Sequence, residues 1–200
     1  MVKSALGFSI AACALLASVP ASAAVFIFAG NLTGAQENPP VVTNGTGFTT
    51  VTVDTTLQTL RLIANFSGLT GNTTVAHIHC CAPVGANAGV ATPTPTFPGF
   101  PAGVTSGFYD GTFDMKLASS FNAGFITANG GSPATAFAAL LTGLQAGRAY
   151  LNIHSSFAPG GEIRGQLAAG PEPASWAMLI TGFGAAGVAL RRRRQPVLVA

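Results

Sequence analysis

Between residues 24 and 170 the chain alternates short apolar runs with stretches rich in Gly, Pro, Asn and Ser. The runs are rich in β-branched and aromatic residues, as is typical of short strands separated by turns. The pattern predicts seven strands: residues 25–28, 48–53, 57–66, 73–79, 107–117, 149–154 and 162–167. Seven such strands within one domain's length predict an all-β fold, an antiparallel sandwich or barrel.

Two stretches depart from this strand pattern. Residues 132–145 are rich in alanine, which favours a short helix. Residues 82–106 contain five prolines and several glycines, together with Phe97 and Phe100. Because the two aromatic rings can be buried, we expect this stretch to be a long ordered loop rather than a linker.

Residues 1–23 have the features of a secretory signal peptide. Lys3 precedes an apolar run over residues 5–19, and Ala21-Ser22-Ala23 is the small-x-small pattern that signal peptidase accepts. Lipid attachment at Cys13 is the alternative, but little apolar sequence precedes that residue. We therefore expect cleavage after Ala23 and export of the remainder.

Residues 171–200 form a second targeting segment. An uncharged stretch, residues 174–190, is long enough for a helix of about 25 Å, which could span a thin membrane. A Pro-Glu-Pro motif precedes this stretch and an arginine cluster follows it. The motif is Pro171, Glu172 and Pro173, and the cluster is Arg191, Arg192, Arg193 and Arg194. The arginines place that end of the helix in the cytoplasm, and the body of the protein outside.

This order of parts resembles the PEP-CTERM sorting signal of Gram-negative bacteria that make exopolysaccharide. The resemblance implies a transient tether in the inner membrane, then cleavage by an exosortase and release to the cell surface or the extracellular matrix. The alternative is a permanent single-pass anchor.

Without the two targeting segments, the remaining domain has a different net charge from the whole chain. Residues 24–170 carry four basic and five acidic side chains, so the basic character of the whole chain comes from its ends. A weakly acidic domain cannot neutralise a row of phosphates, which argues against nucleic acid as a partner. Carboxylates are also too few to offer many acid–base pairs.

All three histidines lie in two similar segments, residues 67–81 and 142–156. Aligned without a gap, the segments match at Gly68/Gly143, Leu69/Leu144, Ile78/Ile153 and His79/His154. The constant offset indicates a repeated strand unit with equivalent core isoleucines. His77 breaks the symmetry, because its counterpart is Asn152.

Three blocks of sequence resemble the signature blocks of the CHRD domain, named after chordin. They are Gly-Ala-Gln-Glu-Asn-Pro-Pro at 34–40, Val-Ala-His-Ile-His at 75–79, and Tyr-Leu-Asn-Ile-His at 150–154 leading into 160–166. The resemblance covers residues 25–168 and implies an extracellular, immunoglobulin-like β-fold without a settled activity. The predicted organisation is a signal peptide (1–23), a CHRD domain (24–170) and a sorting segment (171–200).

The histidines are candidate ligands of a metal ion. Residues two apart on a strand point to the same face, so His77 and His79 project together. Pairing of the two segments would add His154, and three imidazoles with an open position suit copper or zinc. The His-x-His strand loosely resembles the copper-binding strand of copper/zinc superoxide dismutase, another β-sandwich. The alternative, which the sequence favours, is that the histidines are neutral and hydrogen-bonded structural residues.

Two other pairs have structural and functional interpretations. Cys80 and Cys81 are the cysteines of the exported domain, and we expect a disulfide between them. An intermolecular disulfide, or thiolate ligation beside His79, is the alternative. Glu162 and Arg164 are predicted to form an ion pair on a strand, with ligand recognition as the alternative.

The sequence lacks the motifs of serine hydrolases, phosphate-binding loops and zinc proteases. We therefore predict a secreted, non-enzymatic β-sandwich module, adhesive or structural in the exopolysaccharide matrix. Its expected partners are signal peptidase, exosortase and extracellular polysaccharide or surface proteins. The alternative function is a copper- or zinc-dependent redox protein that uses the three histidines.

Overall fold

The computed structural model describes residues 24–170, together with residues 181–184, 187 and 191. The predicted signal peptide and nearly all of the predicted sorting segment lie outside these residues. Within the described part of the chain, no helix has the length and apolar character that a membrane span requires.

The described domain is built on one sheet of eight strands. In chain order they are β1 (Val25–Thr33), β2 (Thr46–Asp54), β3 (Thr59–Ser67), β4 (Thr73–Cys80), β5 (Gly107–Asp114), β6 (Ala149–Ser155), β7 (Ile163–Gln166) and β8 (Ala168–Ala169). The strands lie in the order β4-β6-β7-β1-β2-β3-β5, and β8 pairs with β1. All of the pairings are antiparallel, and the sheet curls into a half-barrel.

The mostly-β class and the antiparallel sheet confirm the prediction at that level. Each of the seven predicted runs contains a strand, because alternating β-branched and aromatic residues fit a pleated surface with one face buried. The described strands form one continuous curled sheet rather than two separately bonded sheets.

Helices lie between β5 and β6. The first, α1 (Ala123–Ala128), was not predicted, and the second, α2 (Pro133–Gln145), coincides with the predicted helix. The start of α2 is defined by the Ser132 hydroxyl, which accepts a bond from the Thr135 amide at 3.2 Å, and by Pro133 at the first helical position. Two short 3-10 turns, Gly34–Gln36 and Ala118–Ser120, follow β1 and β5.

The apolar core lies inside the curl of the sheet. Inward-facing side chains alternate with outward-facing ones along β1, β2 and β3, as the period of a strand requires. Phe28, Leu32, Val51 and Leu62 are completely buried there. The helix α2 adds Leu140 and Leu144 to the same core.

The segment 82–106 joins the two edge strands of the sheet. Near β4, the Ala91 amide donates to the carbonyl of Ile78 at 2.9 Å, and near β5 the Tyr109 hydroxyl donates to the carbonyl of Pro98 at 3.0 Å. Phe97 is fully buried. The expected ordered loop is therefore confirmed, and its aromatic content holds it against the core.

A second buried layer, which is polar, lies on the other face of β4, β6 and β7. Ile78, Leu151 and Ile153 point into the apolar core, whereas His77 and Asn152 face each other across β4 and β6 on the opposite side. Carbonyl groups of residues 36, 88, 95 and 159 bond to side chains of this side, so the segments that contain them cover it. The polar side chains of these strands are consequently removed from solvent.

Candidate metal centre

The three histidines converge in the polar layer. One ring nitrogen of each of His77, His79 and His154 lies within 4.8 Å of those of the other two. The ring centroids are 5.9 Å apart for His77 and His79, and 5.4 Å apart for His77 and His154. The convergence follows from the pairing of β4 with β6, which places the repeated histidine strands side by side.

Each imidazole has one nitrogen bonded to a backbone carbonyl. His77 Nε2 lies 2.7 Å from the Pro95 oxygen, and His79 Nδ1 lies 2.9 Å from the Ala88 oxygen. His154 Nδ1 lies 2.8 Å from the carbonyl of the turn residue 159. A carbonyl can only accept, so these nitrogens carry the hydrogen, and the remaining nitrogen of each neutral ring has a free lone pair.

The remaining nitrogens are buried and without a hydrogen-bond partner in the described structure. They are His77 Nδ1, His79 Nε2 and His154 Nε2. Leaving a buried acceptor unpaired costs about 1–3 kcal/mol. Three such acceptors on neighbouring rings form a group that a cation or a hydrogen-bond donor would satisfy.

Burial keeps the three rings neutral. Removal from water lowers the pKa of all three histidines, and that of His79 falls to about 4. The proximity of His154 lowers the pKa of His77 and His79 further. Metal ions bind the neutral imidazole, so the rings are in the binding state at neutral pH.

The three imidazoles are suitable ligands for a small divalent ion, and the rings move closer together to bind it. Three nitrogens that bind one zinc ion at about 2.0–2.1 Å with tetrahedral angles lie about 3.4 Å apart. The nitrogens here lie within 4.8 Å of one another, so the required contraction is at most about 1.4 Å. Three histidines with an open fourth position are a ligand set used for zinc and copper.

Tyr150 and Arg164 pack beside the histidines. The ring of Tyr150 stacks on His79 with centroids 5.0 Å apart and planes inclined by 4°. The guanidinium of Arg164 covers Tyr150, 4.6 Å from the ring centroid. This stack limits the rotation of the His79 ring and keeps it in the polar layer.

Glu37 and Asn152 belong to the same polar layer, and Asn152 pairs in register with His77. Asn152 Nδ2 lies 3.5 Å from Glu37 Oε2. Glu37 Oε1 and Asn152 Oδ1 also have no hydrogen-bond partner in the described structure. Burial raises the pKa of Glu37 to about 7, although Arg164 and Asn152 act in the opposite direction. The sequence reasoning missed Glu37, whose only signal was its place in the 34–40 block.

Cys80 and Cys81 are joined by a disulfide between adjacent residues. Cys80 belongs to the apolar core, on the face of β4 opposite to His79, whereas Cys81 is exposed. The disulfide packs on α2, where a Cβ at Gly143 would collide with both sulfurs. The structure therefore places the sulfurs against the helix and the histidines in the polar layer.

Glu162 and Arg164, the residues of the predicted ion pair, have different partners in the structure. Glu162 precedes β7, so its carboxylate does not share the alternation of that strand. Thr43 Oγ1 donates to it at 2.6 Å, and the amide of Thr70 at 2.5 Å. The amide of residue 71 and the hydroxyl of residue 155 donate as well. Burial alone would raise the pKa of Glu162, but these donors lower it overall.

Arg164 forms hydrogen bonds to the segments that cover the polar layer. Its Nη1 donates to Asn87 Oδ1 at 2.9 Å, its Nη2 to the carbonyl of Gly85 at 3.3 Å, and its Nε to the carbonyl of Gln36. The Nε atom also lies 3.9 Å from Glu37 Oε2. One side chain thus holds residues 34–38 and 82–87 over the sheet.

Comparison with known families gives one match. The model of the CHRD domain family matches residues 28–167, which is most of the chain. The chain belongs to the CHRD domain family. No curated protein and no solved structure matches it. A CHRD β-domain fits a non-enzymatic extracellular module, and the matched region includes all three histidines together with Glu37, Asn152 and Arg164.

Proposed function

We propose that this CHRD domain binds one copper or zinc ion through His77, His79 and His154. The observation that carries the proposal is the group of three unpaired, buried imidazole nitrogens. Each ring is oriented by a carbonyl at its other nitrogen, the arrangement by which proteins set the tautomer of metal-binding histidines.

A purely structural role accounts for only half of these contacts. It explains the three N–H groups that bond to carbonyls, but it leaves the lone pairs of three neighbouring rings with no donor in the described structure. Acceptors cannot bond to one another, and a single water offers only two hydrogens. A bound cation satisfies all three at once. The geometry therefore favours the metal centre over the structural histidines that the sequence favoured.

Elemental analysis of the purified protein after loading with Cu²⁺ or Zn²⁺ tests this function. We expect one equivalent of one metal in the wild type, and loss of it in the double variant His79→Ala/His154→Ala with the β-sheet retained by circular dichroism. Thr112→Ala, on the exposed side of β5, is the control and should keep the ion. A wild-type protein that retains neither metal after loading would refute the proposal.

We also propose that the protein is exported and processed as its ends predict. The disulfide between Cys80 and Cys81 supports an oxidising compartment. Export would be followed by exosortase cleavage near the Pro-Glu-Pro motif and release to the cell surface or matrix. Fractionation of the producing bacterium checks this route, since deletion of residues 171–200 should abolish surface delivery.

A second candidate function, adhesion to matrix polysaccharide, is supported by the outer face of the sheet. Phe48 and Phe108 are 42% and 63% exposed, and both pair in register with Asn65. Strand spacing places these two residues about 10 Å apart, with a polar amide between them. Exposed aromatic rings with an apolar face and a neighbouring hydrogen-bonding group suit the faces and hydroxyls of sugars.

Co-sedimentation with purified matrix polysaccharide measures this adhesion. The wild type and Thr112→Ala should sediment with the polysaccharide, whereas Phe48→Ala/Phe108→Ala should lose most of the binding. Equal sedimentation of the double variant would remove the support for this surface.

A further inference from the structure

A surface cavity borders the polar layer at Glu37 and Arg164. Its volume is about 270 Å³, and it lies between the segment 34–40 and the segment 82–87. Glu37 and Arg164 are among its lining residues. The cavity therefore gives solvent access to Glu37 and Arg164, two side chains of the polar layer.

Glu37 connects this cavity to the strand that carries His154, through its contact with Asn152. Its side chain borders the cavity and also contacts Asn152, the residue that faces His77 in the pairing of β4 with β6. Glu37 is only 7% exposed and Asn152 only 3%. One oxygen of each has no partner in the described structure, so both can bond to a further small molecule.

The attraction of Arg164, whose Nε lies 3.9 Å from Glu37 Oε2, lowers the pKa of Glu37 by less than burial raises it. The other titratable groups of the layer are Tyr150 and His154 on β6, and His77 and His79 on β4. Apart from Glu37, the segments 34–40 and 82–87 carry no charged side chain. A carboxyl in these surroundings, with a pKa of about 7, gains and loses a proton in the neutral range.

We propose that Glu37 and Asn152 hold a water molecule or a small protic ligand at the open position of the three-histidine centre. Glu37 transfers a proton from this bound molecule to solvent in the surface cavity. This inference rests on the proposed metal centre. A molecule held there would give one proton to the Glu37 carboxylate and keep the electron pair of the broken bond, and the Glu37 carboxyl would then release the proton to solvent in the cavity. No electron is transferred, and charge and atoms balance.

The pH dependence of the Cu²⁺ spectrum in the loaded protein tests the inference. Between about pH 5 and about pH 9, the visible and paramagnetic resonance spectra of the wild type should show a transition in the neutral range. In Glu37→Gln, with one equivalent of copper still bound, the transition should shift by about one pH unit or more, or vanish. Asp110→Asn, an exposed carboxylate of the outer sheet face, is the matched control and should leave the transition in place.

A second variant protects the test against misfolding of Glu37→Gln. Asn152→Ala removes the contact between Glu37 and β6 and should shift the same transition. Bound copper with an unchanged transition in both variants would overturn the role of Glu37 while leaving the metal centre intact. A wild type that binds no metal would overturn both proposals, so the two failures are distinguishable.

Discussion

At the scale of single residues, two buried carboxylates of this domain have opposite environments. Glu162 accepts four hydrogen bonds from hydroxyls and backbone amides, and its pKa is lowered. Glu37 has one long contact to Asn152, one to Arg164 and a free oxygen, and its pKa is raised. Glu162 is therefore ionised and structural at neutral pH, whereas Glu37 can exchange a proton.

Replacement of glutamate by glutamine should lower the free energy of unfolding by different amounts at the two sites. Glu162→Gln replaces a charged acceptor with an amide whose NH₂ group faces donors, so it should lower the free energy of unfolding by about 3 kcal/mol. Glu37→Gln loses one weak contact and should cost less than about 1 kcal/mol. Urea denaturation at neutral pH measures both. Equal losses of stability would show that the environments do not differ as described.

The histidines should make the metal-free protein sensitive to acid. Because their pKa values are lowered in the folded state, the unfolded chain binds more protons, and stability is present above about pH 6.5 and is lost as the pH falls through the folded value. The shift of His79 alone corresponds to on the order of 3 kcal/mol. Glu37 acts oppositely, since its raised pKa favours the folded state as the pH falls below about 7.

Urea denaturation of the metal-free protein at several pH values isolates this effect. In the Glu37→Gln background, the free energy of unfolding should fall between about pH 6.5 and about pH 5. Adding His79→Gln, which cannot titrate, should flatten the curve. A flat curve in Glu37→Gln itself would mean that the histidines are not held neutral by burial.

At the scale of elements, the sequence predicted the strands better than their surroundings. Alternating apolar residues identified all seven main strands, and the alanine-rich run identified α2. The same alternation placed His77 and His79 on one face of β4. It could not show that this face is buried, because a polar face of a strand ordinarily points to solvent. The covering segments, held by Arg164, produce the burial and hence the pKa shifts.

Glu162 and Arg164 illustrate the limit of strand periodicity. Glu162 and Arg164 are two residues apart, which predicts a shared face if the strand includes both. The strand β7 begins only at Ile163, after a turn whose Gly161 has a φ of 130°. The carboxylate of Glu162 therefore accepts hydrogen bonds from residue 43 and residues 70–71. These donors are distant in sequence, so a local pattern of residues cannot predict the contacts.

At the scale of the whole molecule, long-range pairing creates the candidate site. The repeat in the sequence indicated that the two histidine segments were equivalent, and the structure makes them neighbouring strands, β4 and β6. Nothing local required that adjacency, since 68 residues separate Thr73–Cys80 from Ala149–Ser155. The 34–40 segment, which supplies Glu37, joins the layer through Arg164 and Asn152.

Anomalous diffraction from crystals of the metal-loaded protein, measured at the absorption edge of the bound copper or zinc, tests the central claim most directly. We expect one strong peak, bonded to His77, His79 and His154 at about 2.0–2.1 Å. A peak at another position, or none between the three rings, would contradict the account of the polar layer as a metal centre.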